Sequence, residues 1–351
     1  MGRFLRAVEN EIRSAAPERR GRCDTVFIGG GTPSLMEPEQ LSGVMDALHG
    51  TFEISPEAES TIEVNPGTVS AGKLAAYRAG GMTRVSIGVQ SFDDAELGFL
   101  GRIHTAAEAA ECIILAREAG FEDVSVDLIY ALPGQTNAAW LRTLDRVARY
   151  SPDHISAYAL IVEEATPLGR RVRAGETEPA APEREAELYE LTMQWMNDHG
   201  YEHYEVSNYA RPGHRSRHNS AYWDHRPYLG FGPSAHSFWR AAGSEGGRRW
   251  WNTSDVWEYC GALESGRSPV SGEETVGVRE LINERLFLGL RQGVIDLVSI
   301  EREFGVSLPA AITQLFEALL QDGRMAREGD RFRLTPAGFL VCDEIAARLM
   351  L

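Results

Sequence analysis

The chain of 351 residues carries 51 acidic against 35 basic side chains, a formal net charge of −16, which disfavours nonspecific nucleic-acid binding and attraction to anionic membrane surfaces. With 43% hydrophobic residues it can build a substantial core, and its length suits one large domain with a smaller one. No apolar run approaches the roughly 20 residues of a membrane span, and residues 1–20 lack the apolar stretch of a secretory signal, so a cytoplasmic protein is expected. Phe4, Leu5, Val8 and Ile12 recur at helical spacing and predict a helix over 3–15. Thr25-Val26-Phe27-Ile28 reads as a buried strand running into Gly29-Gly30-Gly31, a loop whose backbone can adopt positive φ and approach a ligand closely. Pro33 then suits a helix start. The loop is not a phosphate P-loop, because no Gly-Lys-Ser/Thr follows, and its contiguous glycines do not match the spaced dinucleotide fingerprint. The reading continues with helix 41–48 ended by Gly50, a strand from Ser60 ending in the Asn65-Pro66-Gly67 turn, and helix 70–79 ended by Gly80-Gly81. Strand 83–92, helix 106–119, strand 123–130, helix 137–150 and strand 154–160 follow.

Five strands alternating with helices predict a parallel sheet with crossover helices. Thr32, Glu63, Gln90 and Asp127 recur near successive strand carboxyl ends, the end at which α/β barrels bind ligands. One such acid alone is more often a satisfied structural carboxylate; four polar residues in register favour a shared ligand site. An unpaired buried charge costs several kcal/mol, so Glu63 and Asp127 call for hydroxyls or an ammonium on the ligand.

Residues 163–182 read as a surface connection, and 183–198 as an amphipathic helix with Leu188, Leu191, Trp195 and Met196 on one side. The stretch from Tyr201 to His236 is dense in aromatics, histidines and small residues. It suits either close approach to something flat or a loop-rich aromatic minicore. Residues 241–249 read as a flexible tip. Helices over 284–290 and 313–321, a hairpin over 323–335 with Gly329-Asp330 at its tip, and a last helix over 336–349 suggest a winged-helix-like module. The acidic chain favours a packing or partner role for it over DNA binding. Cys23, Cys112, Cys260 and Cys342 lie far apart, at no metal- or cluster-type spacing, and read as reduced thiols.

Taken together, Phe27–Ser34, Glu63–Gly67, Ser86–Phe92, Gly101–His104, Asp127–Thr136, Tyr204–Tyr209 and His218–Trp223 resemble the oxygen-independent coproporphyrinogen III oxidase-like family of radical SAM proteins, in its HemW branch of heme chaperones. The resemblance covers roughly residues 5–345. It implies an α/β fold, a partial (β/α)6 TIM-like radical SAM barrel, with a C-terminal α+β, winged-helix-like domain. The expected divisions are 1–165 for the barrel, 166–270 for the remaining core with the heme-associated region, and 271–351 for the C-terminal domain. It implies that Gly30, Gly31, Thr32, Glu63, Gln90, Arg102 and Asp127 hold S-adenosylmethionine. Glycine backbone groups and Glu63 suit the methionyl ammonium, Asp127 the ribose hydroxyls and Arg102 a carboxylate. His218-Asn219-x-x-Tyr222-Trp223 resembles the family's heme-handling motif, with His218 as an imidazole ligand for heme iron beside aromatic walls.

One departure stands out. The family places C-x3-C-x2-C after its first strand, upstream of the glycine stretch, whereas here Met1 opens in what reads as the first helix. The first strand and the three [4Fe-4S] ligands are therefore absent, and Cys23 does not replace them. The expectation is a start placed downstream of the natural one; the alternative is a natural cluster-free variant. Whether the chain is an enzyme is left open. The leading function is a heme carrier that passes heme to acceptor proteins, with at most transient membrane association, no nucleic-acid partner and no oligomeric state assigned. The alternatives are coproporphyrinogen III decarboxylation, which needs the missing cysteines, and an inactive barrel scaffold.

Overall fold

A computed structural model describes every residue except Pro17, Glu18, Arg20, Ala242, Met350 and Leu351. Seven strands form the main sheet: β1 (Arg22–Ile28), β2 (Glu53–Val64), β3 (Arg84–Gln90), β4 (Asp123–Tyr130), β5 (His154–Ala159), β6 (Glu202–Glu205) and β7 (Asn208–Ala210). Their order is β1-β2-β3-β4-β5-β7-β6. β2 through β5 pair in parallel, and an antiparallel hairpin of β7 and β6 extends the sheet beyond β5. This is the expected partial barrel, parallel from β2 through β5 and closed off by the antiparallel hairpin. The chain divides into two compact units, residues 1–26, 36–59 and 217–351 in one and residues 27–35 and 60–216 in the other.

In the second unit the central strands bury one apolar face, where Val85, Ile87, Val89, Val124, Val126 and Leu128 are all fully buried, while the alternate positions carry Ser86, Gly88, Ser125 and Asp127 on the other face. The crossover helices begin at well-formed caps. Thr105 and Glu108 make a reciprocal capping box before helix Ala106–Glu118, and the Thr136 hydroxyl accepts from the Ala139 amide at the start of helix Asn137–Ala148. Trp140 on that helix is fully buried. Its indole donates to the Thr192 hydroxyl at 2.8 Å, which satisfies the one polar atom it takes into the core.

The first unit holds two small antiparallel sheets. β8 (His236–Trp239), β9 (Gly247–Asn252) and β10 (Val270–Val276) are ordered β10-β9-β8. β11 (Val294–Asp296), β12 (Met325–Glu328) and β13 (Arg331–Leu334) are ordered β11-β13-β12. The latter combine with helices Val278–Arg291, Leu297–Phe304 and Ala310–Gln321 in the expected winged-helix arrangement. Gly329, at the hairpin tip, has a φ of +64°, which suits a tight turn. Phe316 meets Phe332 edge-on at 4.8 Å and joins helix to hairpin.

The elements depart from expectation in several places. β2 starts at Glu53 rather than Ser60, because backbone pairing carries the polar Glu53–Glu59 half, whose side chains are partly exposed. Helix Pro38–Thr51 runs through Gly50; its start is fixed by the Glu37–Gln40 capping box. Short helices occupy a stretch given no reading, Asp94–Phe99, and part of the surface connection, Pro167–Arg173, each nucleated by a side-chain cap, from Asp93 and Thr166. Residues 247–249 of the proposed tip belong to β9, where arginines pair with Glu273 and Glu274 across the sheet; Ala242 of that tip lies outside the described residues. The final helix is broken into Pro336–Phe339 and Cys342–Leu349. Among the described residues no helix is long and apolar enough to cross a membrane.

Candidate functional site

Two regions gather the residues singled out by sequence. In the second unit the glycine loop leaves the end of β1. Gly30 and Gly31 have φ of +80° and +62°, and a Cβ on either would meet nothing within 4 Å. Backbone conformation, not crowding, is therefore what requires glycine there, and the space beside the loop is open. Gly29 is different: a Cβ would lie 2.4 Å from the Phe27 ring and 3.1 Å from the Glu63 carboxyl carbon. The Glu63 carboxylate accepts from the Gly30 amide at 3.0 Å. Desolvation raises the Glu63 pKa, the Gly30 hydrogen bond opposes the rise, and the nearby Asp127 charge adds to it. The loop is tied to the end of β2, with the Asn65 amide donating to the Ser34 hydroxyl at 3.1 Å. The Asn65 side chain also reaches the Thr32 hydroxyl at 3.4 Å.

Asp127 on β4 sits among hydroxyls. Ser86 is 3.1 Å from each of its oxygens, and Ser156 also donates to it. Burial raises its pKa, while those hydroxyls and Arg84 oppose the rise. Gln90 ends β3 at a φ of +66°, a conformation costing a non-glycine residue roughly 1–2 kcal/mol. Its amide folds back over Gly88, whose Cβ would lie 2.9 Å from the Gln90 amide nitrogen. His104 is buried and its Nε2–H donates to the Val89 carbonyl at 3.1 Å, just ahead of that strained residue. Arg102 is partly buried, and desolvation lowers its pKa. Among the described residues it has no carboxylate partner. The region thus combines two desolvated acids that feel one another's charge with a loop of open backbone, and the half-buried Arg102 guanidinium acts on the charge of His104. These complement a zwitterion with hydroxyls, so the residues present fit S-adenosylmethionine.

The second region lies in the first unit, on the short helix Arg217–Trp223. The buried Glu59 carboxylate accepts from the amides of both Arg217 and His218, at 2.8 Å each. The Thr25 hydroxyl holds His218 Nδ1 at 2.9 Å. Burial lowers the His218 pKa, opposed by Glu59, so the ring is neutral at neutral pH, the form that ligates metals. Tyr222 stands edge-on to His218 at 5.1 Å, is 38% exposed, and packs against Tyr228 at 4.6 Å. Trp223 ends the helix with a buried indole N–H that has no hydrogen-bond partner among the described residues, an unmet donor within the motif.

The sequence reading did not single out Glu59, Thr25, Ser86 or Ser156. Glu59 carried a signal, an acid at the entry of the apolar run that also contains Glu63. The three hydroxyl residues look like ordinary strand residues, and only pairing across strands brings them to their partners.

The cysteines do not converge. Cys112, Cys260 and Cys342 are buried and Cys23 partly so, all as free thiols. Burial pushes Cys112 up to about 12 and Cys342 to about 11, away from the thiolate form that binds iron. Among the described residues, the group of candidate metal ligands within reach of one another is Asp123, Asp153 and His214. Arg117 already pairs with Asp153 at 2.6 Å. The residues present do not fit a [4Fe-4S] cluster.

Residues 3–147 match the radical SAM superfamily, and residues 278–341 match the HemN C-terminal domain. The fold is similar to that of Escherichia coli coproporphyrinogen III oxidase HemN, with a TM-score of 0.83 at 23% identity over 99% of this chain and 83% of that one. The molecule is thus a radical SAM-superfamily protein with a HemN-type C-terminal domain. The heme chaperone HemW of Mycobacterium tuberculosis is 38% identical over 99% of this chain and 86% of its own length. HemW of Bacillus subtilis is 34% identical over 97% and 89%. The chain belongs to the HemW family.

Proposed function

We propose that the protein is a heme chaperone on a radical SAM scaffold. It binds heme at Arg217–Trp223, holds S-adenosylmethionine at the glycine loop and passes heme to acceptor proteins. The observation that carries the reading is His218: its main chain is pinned by Glu59, its Nδ1 by Thr25, and its ring is kept neutral beside the half-exposed Tyr222. With Nδ1 held by Thr25, Nε2 is the atom to meet heme iron. Tyr222 stands beside the ring, and Trp223, at the end of the same helix, brings an N–H donor unmet among the described residues. The names of the relatives, heme chaperones over nearly the whole chain, support the same reading.

At the other region, Arg102 would take the methionyl carboxylate, Glu63 the ammonium and Asp127 the ribose hydroxyls. The backbone of Gly30 and Gly31, with Thr32 and Gln90, would line the remainder. Once bound, S-adenosylmethionine supplies a sulfonium with activated carbon–sulfur bonds. The protein's own part is to orient the ligand and neutralise its two charges, and no reductive step is assigned to the described cysteines. The acidic charge and the lack of a spanning helix among the described residues support a cytoplasmic location.

The test is titration of the purified protein with ferric and ferrous heme, followed by the Soret band. A shifted band is expected that His218→Ala loses while S-adenosylmethionine binding stays intact. An identical band and affinity in His218→Ala would overturn the assignment.

A further inference from the structure

Within the unit that carries the Arg217–Trp223 helix, a cavity of about 670 Å³ opens between the end of helix Gly2–Arg13, the turn at Leu229–Phe231 and the segment from Leu263 to Val270. That volume lies within the roughly 300–1,000 Å³ typical of organic-ligand sites. Among the described residues its charged lining is Glu11, Arg13, Arg19 and Arg267. Arg13 pairs with Glu9 at 3.1 Å. Glu11 is satisfied from within the protein, accepting from the Tyr259 hydroxyl at 2.6 Å, the Asn252 amide at 2.6 Å and the Gly232 backbone at 2.8 Å. Desolvation raises its pKa, and those three hydrogen bonds oppose the rise.

Arg19 and Arg267 remain. Among the described residues neither has a carboxylate partner, although acids outnumber bases 51 to 35 in this chain. Arg19 stacks over the Trp250 ring at 4.4 Å. Packing on the ring leaves the guanidinium's N–H groups available to an oxyanion. Leu229, Phe231, Leu263 and Val270 give the cavity apolar wall beside the polar Asn10, Ser14, Ser237 and Ser268, and a bare phosphate would leave that apolar wall wet. The chain also leads from motif to cavity directly, since Tyr228 packs on Tyr222 and the next residue, Leu229, lines the cavity.

We propose that this cavity is a second ligand position, which takes a flat apolar body bearing two carboxylates, with Arg19 and Arg267 receiving the acid groups. That the body is a tetrapyrrole rests on the heme-chaperone reading; the dicarboxylate chemistry rests on the cavity alone. The position is independent of iron, because no imidazole lines it.

The test uses iron-free protoporphyrin IX, titrated into the whole protein and followed by porphyrin fluorescence and quenching of tryptophan emission. Saturable binding is expected, weakened at least about tenfold, as for loss of a charge-assisted pair, in the Arg19→Gln/Arg267→Gln double variant. The same loss is expected for the porphyrin dimethyl ester on the unaltered protein, an arm that does not depend on the variant folding. Equal affinity for diacid and ester, equal affinity in the double variant, or no saturable binding would each overturn the proposal. The Soret response to iron heme and its sensitivity to His218→Ala are read separately, so this site and the heme-chaperone reading fail independently.

Discussion

The glycine-loop region and the Arg217–Trp223 region solve opposite problems. The first keeps charge in waiting: Glu63 and Asp127 are desolvated acids, Arg102 has no carboxylate partner among the described residues, and Gln90 is held in a left-handed conformation. Such a site is destabilising until a ligand of complementary charge arrives. The second keeps geometry in waiting. A helix of seven residues is too short to persist alone, and two hydrogen bonds from its amides to one buried carboxylate hold it in place. The difference teaches where damage should register: at the first region mutations should alter ligand affinity and pH response, and at the second the loss of the helix's anchor should alter stability.

Glu59→Ala should break that contrast most visibly. It strips the acceptor from two amides, each loss worth about 1–3 kcal/mol. A destabilisation of about 3 kcal/mol is expected in urea unfolding, with heme binding lost alongside. An unfolding midpoint equal to the parent's would mean the helix does not depend on Glu59. Arg102→Ala should do the reverse. Affinity for S-adenosylmethionine, measured calorimetrically, should fall about 30-fold, the equivalent of about 2 kcal/mol for a charge-assisted contact, while ligand-free stability holds or rises. A loss of stability with affinity unchanged would place Arg102 in the scaffold instead.

Glu63→Gln sharpens the comparison through pH. The folded-state pKa of Glu63 is raised above its ordinary value, so its contribution to stability is full below the unfolded value and is lost as pH rises through the folded one. Without ligand, Glu63→Gln should therefore be more stable than the parent at pH 8 and level with it at pH 4. Parallel stability–pH curves would show that Glu63 carries no such penalty. The smallest effect is expected from Thr25→Val, which removes the hydroxyl on His218 Nδ1. Heme affinity should weaken about fivefold, near 1 kcal/mol, with little change in unfolding.

Much of the barrel was legible in sequence because buried parallel strands are written as runs such as Val124 to Tyr130, bounded by glycines. The C-terminal module was legible through the Gly329-Asp330 turn and its amphipathic helices. The β6–β7 hairpin and the β8–β10 sheet were not. Their tyrosines, histidines, tryptophans and arginines gain strand character from cross-strand stacking and ion pairing, such as His203 on Tyr209 at 4.5 Å, which no local window contains. The polar residues near the strand ends could be read as a group from their spacing. The supports of His218 could not, because Thr25 and Glu59 lie 193 and 159 residues away in sequence.

The left-handed Gln90 has a consequence for laboratory selection. Glycine would relieve its backbone strain, so Gln90→Gly should raise stability by up to about 1 kcal/mol while removing the side-chain amide from the loop. A mutant library sorted only for soluble expression should therefore drift toward glycine at position 90, and one sorted on ligand retention should hold glutamine. The residue that prevails reports which of the two pressures a population has felt.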